Sequence, residues 1–359
     1  MENERIRVGI TQGDPNGVGL EIIQKAFADE TLLKHFIPVL YASAKSYIYT
    51  KKQLASKGIE APAFHQIATP EEAKPGRLNL IPTGSADFAV EFGKPSAAAG
   101  AEALASLRAC VEAAAQGQIG MILTSPLDKA TVAENLPGFD GHTGFIAKAL
   151  GADNYAMMLI ADDLRIALVT EHVPVQDVSN VLSREKIAAR IRTVHSALQR
   201  DFRIARPRIA LLGLNPHAGD SGLLGSEEIE RIKPETEAAR KDGMLVYGPY
   251  SADSFFGSGQ AAQFDAILAM YHDQGLIPFK SAAFYEGVNY TAGLPVVRTS
   301  PDHGTAYALA GKGEASALSF MNALFDGLNI VGSRAIYDHG KSSFLPFAEM
   351  KRERFRIDF

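Results

Sequence analysis

The feature that most constrains the fold is a short apolar segment that recurs along the chain and ends each time in a polar cluster. Such segments occupy residues 7–11, 120–123, 165–169, 208–212 and 264–270. Amphipathic helices are predicted between them, at residues 101–118, 183–202 and 226–241. Strands that alternate with helices are typical of a largely parallel sheet, and near-continuous apolar strands suit a sheet that is covered on both faces. The sequence therefore predicts an α/β fold.

The charge balance and the single cysteine exclude several classes of protein. Thirty-six basic and 41 acidic residues give a net charge of -5, which provides no basic surface for nucleic acid and no polybasic membrane anchor. No apolar run approaches the roughly 20 residues that cross a bilayer, and the first residues lack the apolar core of a signal peptide. Cys110 excludes an intrachain disulfide and lies in a predicted helix, where we expect it to be buried and inert. We therefore expect a cytoplasmic protein.

Three histidines follow the ends of different predicted strands. They are His172, His217 and His272. In open α/β sheets, ligands gather at the carboxyl ends of strands, and three neutral imidazoles there would hold a divalent metal ion with positions left open for substrate. Glu171 and Asp273, beside two of these histidines, would orient the imidazole rings. No short spacing between the histidines supports the metal site, so satisfied structural histidines remain the alternative interpretation.

Polar residues elsewhere indicate an anion site. Thr143 precedes a short predicted helix at 144–150 and is a candidate N-cap, as are Ser183 and Ser226 for the helices that they open. The hydroxyl of Thr143 and the free amides of that helix would hold an anion, although a plain capped turn explains the same pattern. Lys280, Asn289 and Arg298 follow the last histidine strand and would clamp a phosphate or a carboxylate.

Taken as a set, these motifs resemble the 4-hydroxythreonine-4-phosphate dehydrogenase family of vitamin B6 synthesis. The resemblance rests on residues 11–19 (TQGDPNGVG), 141–143 (GHT), 213–219 (GLNPHAG), 269–275 (AMYHDQG) and 300–306 (SPDHGTA). It runs in order from about residue 6 to about residue 335. It implies an isocitrate/isopropylmalate dehydrogenase-like fold, with two α/β domains around an active-site cleft and a homodimer whose active sites use both subunits.

By the same resemblance, the first domain comprises residues 1–127 and 279–359 and carries the nucleotide loop. The second domain, residues 128–278, carries the metal histidines and the dimer interface. Two departures from the family pattern are visible: Asp128 stands where Asn is common, and Ser226 stands where the family often has Arg.

Carried over residue by residue, the resemblance assigns roles in the site. Metal ligands are His172, His217 and His272. Substrate-binding residues are His142, Thr143, Lys280, Asn289 and Arg298. Cofactor-binding residues are Asp14, His303, Gly304, Thr305 and Gly311. Candidate general bases, in order of preference, are Asp253, Asp273 and Lys280. The implied cofactors are NAD or NADP and one divalent ion, Zn²⁺, Co²⁺, Mg²⁺ or Mn²⁺, with imidazole ligands favouring Zn²⁺ and Co²⁺.

The implied reaction is oxidation of 4-phosphohydroxy-L-threonine at its C3 hydroxyl. The product is a β-keto acid that decarboxylates to 3-amino-2-oxopropyl phosphate, in pyridoxal 5'-phosphate biosynthesis. A metal ion lowers the pKa of the alcohol, and a nearby base takes the proton while hydride passes to the nicotinamide. Three alternatives stay open: a dehydrogenase of 4-phospho-D-threonate or 4-phospho-D-erythronate, a zinc-dependent hydrolase, and a binding protein without catalytic activity.

Overall fold

The computed structural model describes residues 5–343, in which twelve strands form one sheet. In chain order the strands are β1 (Arg7–Thr11), β2 (Ile37–Ala42), β3 (Phe64–Gln66), β4 (Leu78–Pro82), β5 (Met121–Leu123), β6 (Ala156–Ala161), β7 (Leu164–Leu168), β8 (Arg208–Leu212), β9 (Leu245–Tyr250), β10 (Ala266–Ala269), β11 (Val288–Ala292) and β12 (Val297–Pro301). Their spatial order is β3-β4-β2-β1-β5-β12-β11-β6-β7-β10-β8-β9.

Eleven α-helices accompany the sheet in the described part of the chain. They are α1 (Gly19–Ala26), α2 (Ala44–Ala55), α3 (Ala97–Ala115), α4 (Lys129–Ala133), α5 (His142–Ala149), α6 (Val178–Val181), α7 (Arg184–Arg200), α8 (Lys233–Lys241), α9 (Ala252–Gly257), α10 (His272–Ala282) and α11 (Leu318–Ser343). None of these helices is both long enough and apolar enough to pass through a lipid bilayer.

The direction of the strands changes in the middle of the sheet. Neighbouring strands run parallel from β3 to β12, and again from β7 to β9. Between these halves, β11 runs antiparallel to both β12 and β6, and β6 runs antiparallel to β7. The two parallel halves therefore run in opposite directions, and the loops of both halves approach one region over β11.

The core lies on both faces of this sheet. All four residues of the apolar strand β10 are buried, as a strand covered on both faces requires, and all five residues of β12 are buried as well. Helix α11 packs on β5 so closely that a Cβ added at Gly327 would lie 1.9 Å from Cε of Met121. Burying a large aliphatic side chain stabilises the fold by about 1.5–3 kcal/mol. The sheet is thus a rigid support for the loops at its centre.

Most predicted elements are confirmed. The strands predicted at 7–11 and 208–212 have the observed bounds, and helix α7 begins after Ser183, whose Oγ accepts the amide hydrogen of Lys186 at 3.2 Å. Cys110 is buried inside α3, and burial raises the pKa of its thiol well above the ordinary range. The predicted α/β class of the fold is therefore confirmed.

One predicted helix start was wrong, and a second predicted helix begins differently from an ordinary α-helix. Helix α5 begins at His142 with Gly141 as its N-cap, so Thr143 lies inside the helix and does not cap it. The helix predicted from Ser226 does begin there, since the amide of Glu230 donates to the carbonyl of Ser226 at 2.8 Å, but its first part is a π-helical turn, Glu228–Ile232, that continues into α8. Pro234 explains the second difference, because it has no amide hydrogen to donate to the carbonyl of Glu230.

The predicted domain boundary crosses one continuous sheet. Strands from 1–127 form one side of it and strands from 128–278 form the other, while β11 and β12, from the segment after residue 279, join them at the centre. Residues 1–4 and 344–359 of the predicted first domain lie outside the described part of the chain. The division into two domains stays a prediction.

Candidate active site

A cavity of about 660 Å³ lies over the centre of the sheet, where the strand direction changes. Its lining comes from β11 and β12, from the start of α5, and from the segments that follow β5, β7 and β10. The site residues predicted from the sequence that line it are His142, Thr143, His172, His272, Lys280, Asn289, Arg298, His303 and Gly304. Segments distant in the sequence are thus brought together as a single candidate active site.

Arg298 is the buried cation of this cavity, with only 2% of its surface exposed. Its Nη2 donates to Oγ1 of Thr124 at 2.7 Å, and its Nη1 donates to Oγ1 of Thr291 at 3.2 Å. Among the described residues, no carboxylate forms an ion pair with this guanidinium, and its Nε has no hydrogen-bond partner. Burial lowers the pKa of Arg298 to about 10. A buried charge with only hydroxyl partners is costly unless an anion compensates it, so the position suits an anionic ligand.

His142 begins α5 beside this arginine. The preceding Gly141 has a φ of +124°, a conformation that favours glycine. Burial lowers the pKa of the His142 imidazole well below its ordinary value, and the charges of Arg298 and Lys129 lower it further. The ring is therefore neutral at physiological pH, and its Nε2 is buried without a partner.

Unpartnered polar atoms are concentrated around the cavity. The buried side-chain atoms there that have no hydrogen-bond partner include Nε2 of His142, Oδ1 of Asn289, Nε of Arg298 and Nε2 of His303. Most buried polar groups in native proteins are hydrogen-bonded. Such a concentration in one cavity indicates a polar ligand that would satisfy these atoms.

Lys280 and Asp302 form an ion pair in the same cavity. Nζ of Lys280 lies 3.4 Å from Oδ2 of Asp302, whose side chain is 11% exposed. Burial raises the pKa of the Asp302 carboxyl, and the charge of Lys280 opposes that shift. Asp302 was assigned no role from the sequence. The signal that could have identified it was its position in the motif at residues 300–306, as a carboxylate between two predicted site residues.

His172 and His272 lie together at the edge of the cavity, with ring centroids 5.7 Å apart. Burial is the main cause that lowers the pKa of His172, which favours the neutral form that binds metal ions. Nδ1 of His272 lies 2.7 Å from Oδ1 of Asp273. A ring that donates Nδ1–H to a carboxylate keeps the lone pair of Nε2 for a metal ion, so this pair fits part of an imidazole metal site.

His217 does not join the other two histidines within one chain. It lines a second cavity of about 550 Å³, together with Asp253 and Asp273. The backbone at residues 217–221 is left-handed throughout, with φ between 39° and 82°. Across residues 5–343, no three His, Cys, Asp or Glu side chains are placed to hold a metal ion together. The expected convergence of three imidazoles is thus not seen in a single chain.

The three candidate bases occupy different places. Lys280 lines the central cavity, whereas Asp253 and Asp273 line the second cavity with His217. Asp253 is exposed and accepts a hydrogen bond from Oγ of Ser251 at 2.6 Å, which lowers the pKa of its carboxyl. Within one chain, Lys280 is therefore the candidate that reaches the substrate-sized cavity.

The predicted nucleotide loop packs against the segment between β1 and α1. The amide of Val18 donates to the carbonyl of Thr305 at 3.0 Å, and the hydroxyl of Tyr307 donates to Oδ2 of Asp14 at 2.7 Å. Burial raises the pKa of Asp14. Gly311 lies against Phe92, and its carbonyl accepts a bond from Gln53. Of the predicted cofactor residues, His303 and Gly304 line the cavity, while Asp14, Thr305 and Gly311 are not part of its lining.

Lys129 is a cavity residue that sequence reasoning did not assign. It begins α4, six residues after the end of β5, and its Nζ lies 3.3 Å from Nε2 of His172. Burial lowers the pKa of its ammonium, and the charges of Asp140 and Glu171 oppose that effect. The signal available in the sequence was its place in the polar cluster at 124–129, after a predicted strand.

Several known proteins with similar sequences or structures are 4-hydroxythreonine-4-phosphate dehydrogenases. The profile of the family described as "Pyridoxal phosphate biosynthetic protein PdxA" matches residues 34–325. The 4-hydroxythreonine-4-phosphate dehydrogenase of Bacteroides thetaiotaomicron is 47% identical over 335 residues, which cover 93% of this chain and 91% of that protein. The enzyme of the same name from Aquifex aeolicus is 41% identical, over 89% of this chain and 96% of that protein. The crystal structure of the Klebsiella pneumoniae enzyme is 34% identical, with a TM-score of 0.79 over 92% of this chain and 98% of that chain.

Proposed function

This chain belongs to the pyridoxal phosphate biosynthetic protein PdxA family, and we propose that its central cavity oxidises 4-phosphohydroxy-L-threonine at the C3 hydroxyl. His303 and Gly304, which line the cavity, would hold NAD or NADP, which would supply the hydride acceptor. The resulting β-keto acid loses carbon dioxide and gives 3-amino-2-oxopropyl phosphate. The chain is a dehydrogenase of this family, as relatives with that name match it over most of its length.

The observation that carries this proposal is the buried Arg298. Its guanidinium lies in the cavity without an acidic partner among the described residues, and His142, Asn289 and Lys280 surround it with further polar groups. A doubly charged phosphate ester would compensate the guanidinium and accept its Nε–H.

The side chains divide the work between the two ends of the substrate. Arg298, His142, Thr143 and Asn289 bind and orient the charged groups, which holds the C3 carbon near the edge of the cavity where His172 and His272 lie. The imidazoles of His172 and His272 would hold a divalent ion there, which would supply Lewis-acid polarisation of the C3 hydroxyl. As a free amine, Lys280 would accept the hydroxyl proton at Nζ and would then, as an ammonium, pair with Asp302, whose Oδ2 lies 3.4 Å away.

We further propose that the site is completed in a homodimer. His217 and two of the candidate bases lie in a second cavity that opens beside large exposed apolar side chains. Ile277, in the lining of that cavity, is 65% exposed, and Leu223, six residues after His217, is 79% exposed. Contact between two copies over this surface would cover these side chains and bring His217 of one copy toward the histidine pair of the other.

The substrate class is tested by comparing phosphorylated substrates under identical conditions. Purified protein is assayed with NAD and NADP on 4-phosphohydroxy-L-threonine, 4-phospho-D-threonate and 4-phospho-D-erythronate, and reduced nicotinamide is followed by its absorbance. The proposal expects the highest kcat/KM with 4-phosphohydroxy-L-threonine. A higher kcat/KM with either sugar-acid phosphate would overturn the substrate assignment and leave the dehydrogenase assignment in place.

We place the activity in the cytoplasm, where the single buried Cys110 stays reduced.

A further inference from the structure

We propose that Lys129 binds an anionic group of the substrate, as a further cationic contact beside Arg298 and Lys280. The inference rests on the function proposed above, because it assigns a ligand group to the same cavity. It adds a residue from a separate segment of the chain, at the opening of α4.

Local structure fixes the backbone from which Lys129 extends. Oδ1 of Asp128 accepts the amide hydrogen of Ala130 at 2.8 Å and caps α4 at Lys129. Helix α3 supports α4 closely, since a Cβ at Gly100 would lie 2.2 Å from the carbonyl oxygen of Thr131. Lys129 thus leaves the backbone at a defined place.

The turn before α5 leaves room for the lysine side chain. A Cβ added at Gly141 would lie 3.0 Å from Cε of Lys129 and 3.3 Å from its Nζ. The absence of a side chain at Gly141 therefore accommodates the end of the lysine, which reaches the cavity and approaches His172. The position of the ammonium follows from these contacts on both sides.

Within residues 5–343, the Lys129 ammonium forms no ion pair, although the charges of Asp140 and Glu171 act on its pKa. Its recorded polar contact among the described residues is Nε2 of His172 at 3.3 Å, and no carboxylate lies within ion-pair distance. Two other cations of the cavity are paired, Lys280 with Asp302 at 3.4 Å and Arg190 with Glu171 at 3.9 Å, whereas Arg298, like Lys129, forms no ion pair among the described residues. An ammonium group has three N–H donors, so Lys129 retains two that a phosphate or a carboxylate can accept.

The test compares Lys129→Met with Lys148→Met. Lys148 is an exposed residue of α5 that does not line the cavity. Lys148→Met therefore removes the same charge at a position outside the candidate site. Titration calorimetry measures the affinity of each protein for inorganic phosphate and for L-threonine, and steady-state kinetics measures KM for 4-phosphohydroxy-L-threonine. We expect Lys129→Met to weaken binding of one probe and to raise KM by about 10- to 100-fold, the range for a charge-assisted hydrogen bond. Lys129→Arg restores part of the loss.

The two probes identify the group that is bound. Weaker binding of inorganic phosphate assigns Lys129 to the phosphate end, and weaker binding of L-threonine assigns it to the carboxylate end. Affinities and KM equal to those of Lys148→Met would overturn the inference, as would a change confined to the metal content by elemental analysis. If wild-type protein binds the probes but does not oxidise the substrate, the proposed function fails while the Lys129 contact is still decided by binding.

Discussion

At the scale of single residues, Arg298 contributes most to the account because its charge is buried and has only hydroxyl partners. Arg298→Lys keeps the charge and loses the planar fork, so bidentate contact with an anion is lost. We expect kcat/KM for 4-phosphohydroxy-L-threonine to fall by about one to two orders of magnitude. Part of the loss should appear in kcat, since this contact orients the reacting carbon.

The matched control is Arg192→Lys, at an exposed position of α7 outside the central cavity. Steady-state kinetics of both variants is compared with direct titration of NAD. Unchanged kinetics in Arg298→Lys, or a loss confined to NAD binding, would remove Arg298 from the substrate site.

His142 carries a prediction about pH. The folded protein disfavours its charged form, because burial lowers its pKa well below the ordinary value of 6.5. Below that value the unfolded chain binds a proton that the folded protein does not, so the free energy of unfolding falls as pH decreases. His142→Asn should therefore show a smaller fall in stability than wild type between about pH 7.5 and about pH 5.5.

Denaturant unfolding at the two pH values measures this difference. His35→Asn, at an exposed position, is the control substitution. An identical pH dependence in His142→Asn and wild type would show that His142 titrates alike in the folded and unfolded protein.

At the scale of elements, the contact between α3 and α4 determines where the cavity residues at 124–129 lie. Gly100→Ala would place a Cβ 2.2 Å from the carbonyl oxygen of Thr131, a backbone atom that cannot rotate away. We expect a loss of about 1–3 kcal/mol in the free energy of unfolding. Gly332→Ala in α11 has nothing within 4 Å of the added Cβ, so it should be neutral or stabilising by up to about 1 kcal/mol. Equal unfolding midpoints for the two variants would contradict the close packing of α3 on α4.

Some elements of the fold could be predicted from local sequence patterns, and others could not. Strands β1 and β8 and helix α7 follow from local apolar periodicity and from the cap at Ser183, and all three are confirmed. The left-handed run at 217–221 does not follow from local pattern. It packs against Glu228, whose buried carboxylate accepts the amide hydrogen of Asn215 at 2.8 Å and would lie 2.6 Å from a Cβ added at Gly219. Contacts of this kind depend on a later element of the chain.

Part of the candidate site could also be predicted, namely the residues whose positions follow from predicted strands. His172 and His272 were expected together because they follow predicted strands, and they meet because β7 and β10 are paired neighbours. The position of His217 depends on the turn after β8, which no periodicity encodes. Lys129 and Asp302 were missed because a single Lys or Asp near a strand end is usually a solvated surface residue.

At the scale of the whole molecule, the proposal of a shared site makes a prediction about mixed dimers. His172→Ala and His217→Ala should each be inactive alone. In a mixed dimer, one site combines both substitutions, and the other combines intact histidines from the two chains. Mixing the two inactive proteins under conditions that exchange subunits should therefore restore activity.

Size-exclusion chromatography with light scattering establishes the oligomeric state before mixing. Two preparations of His172→Ala mixed together provide the control. Exchange without any recovery of activity would show that each site is completed within one chain.

The central claim is that the cavity over β11 oxidises and decarboxylates 4-phosphohydroxy-L-threonine. The most direct measurement follows reduced nicotinamide and carbon dioxide together during complete turnover of a known amount of this substrate, with the product identified by mass spectrometry. The account predicts equal amounts of substrate consumed, nicotinamide reduced and carbon dioxide released, with 3-amino-2-oxopropyl phosphate as the product. Consumption of substrate without reduction of nicotinamide, or release of inorganic phosphate instead of carbon dioxide, would contradict this claim.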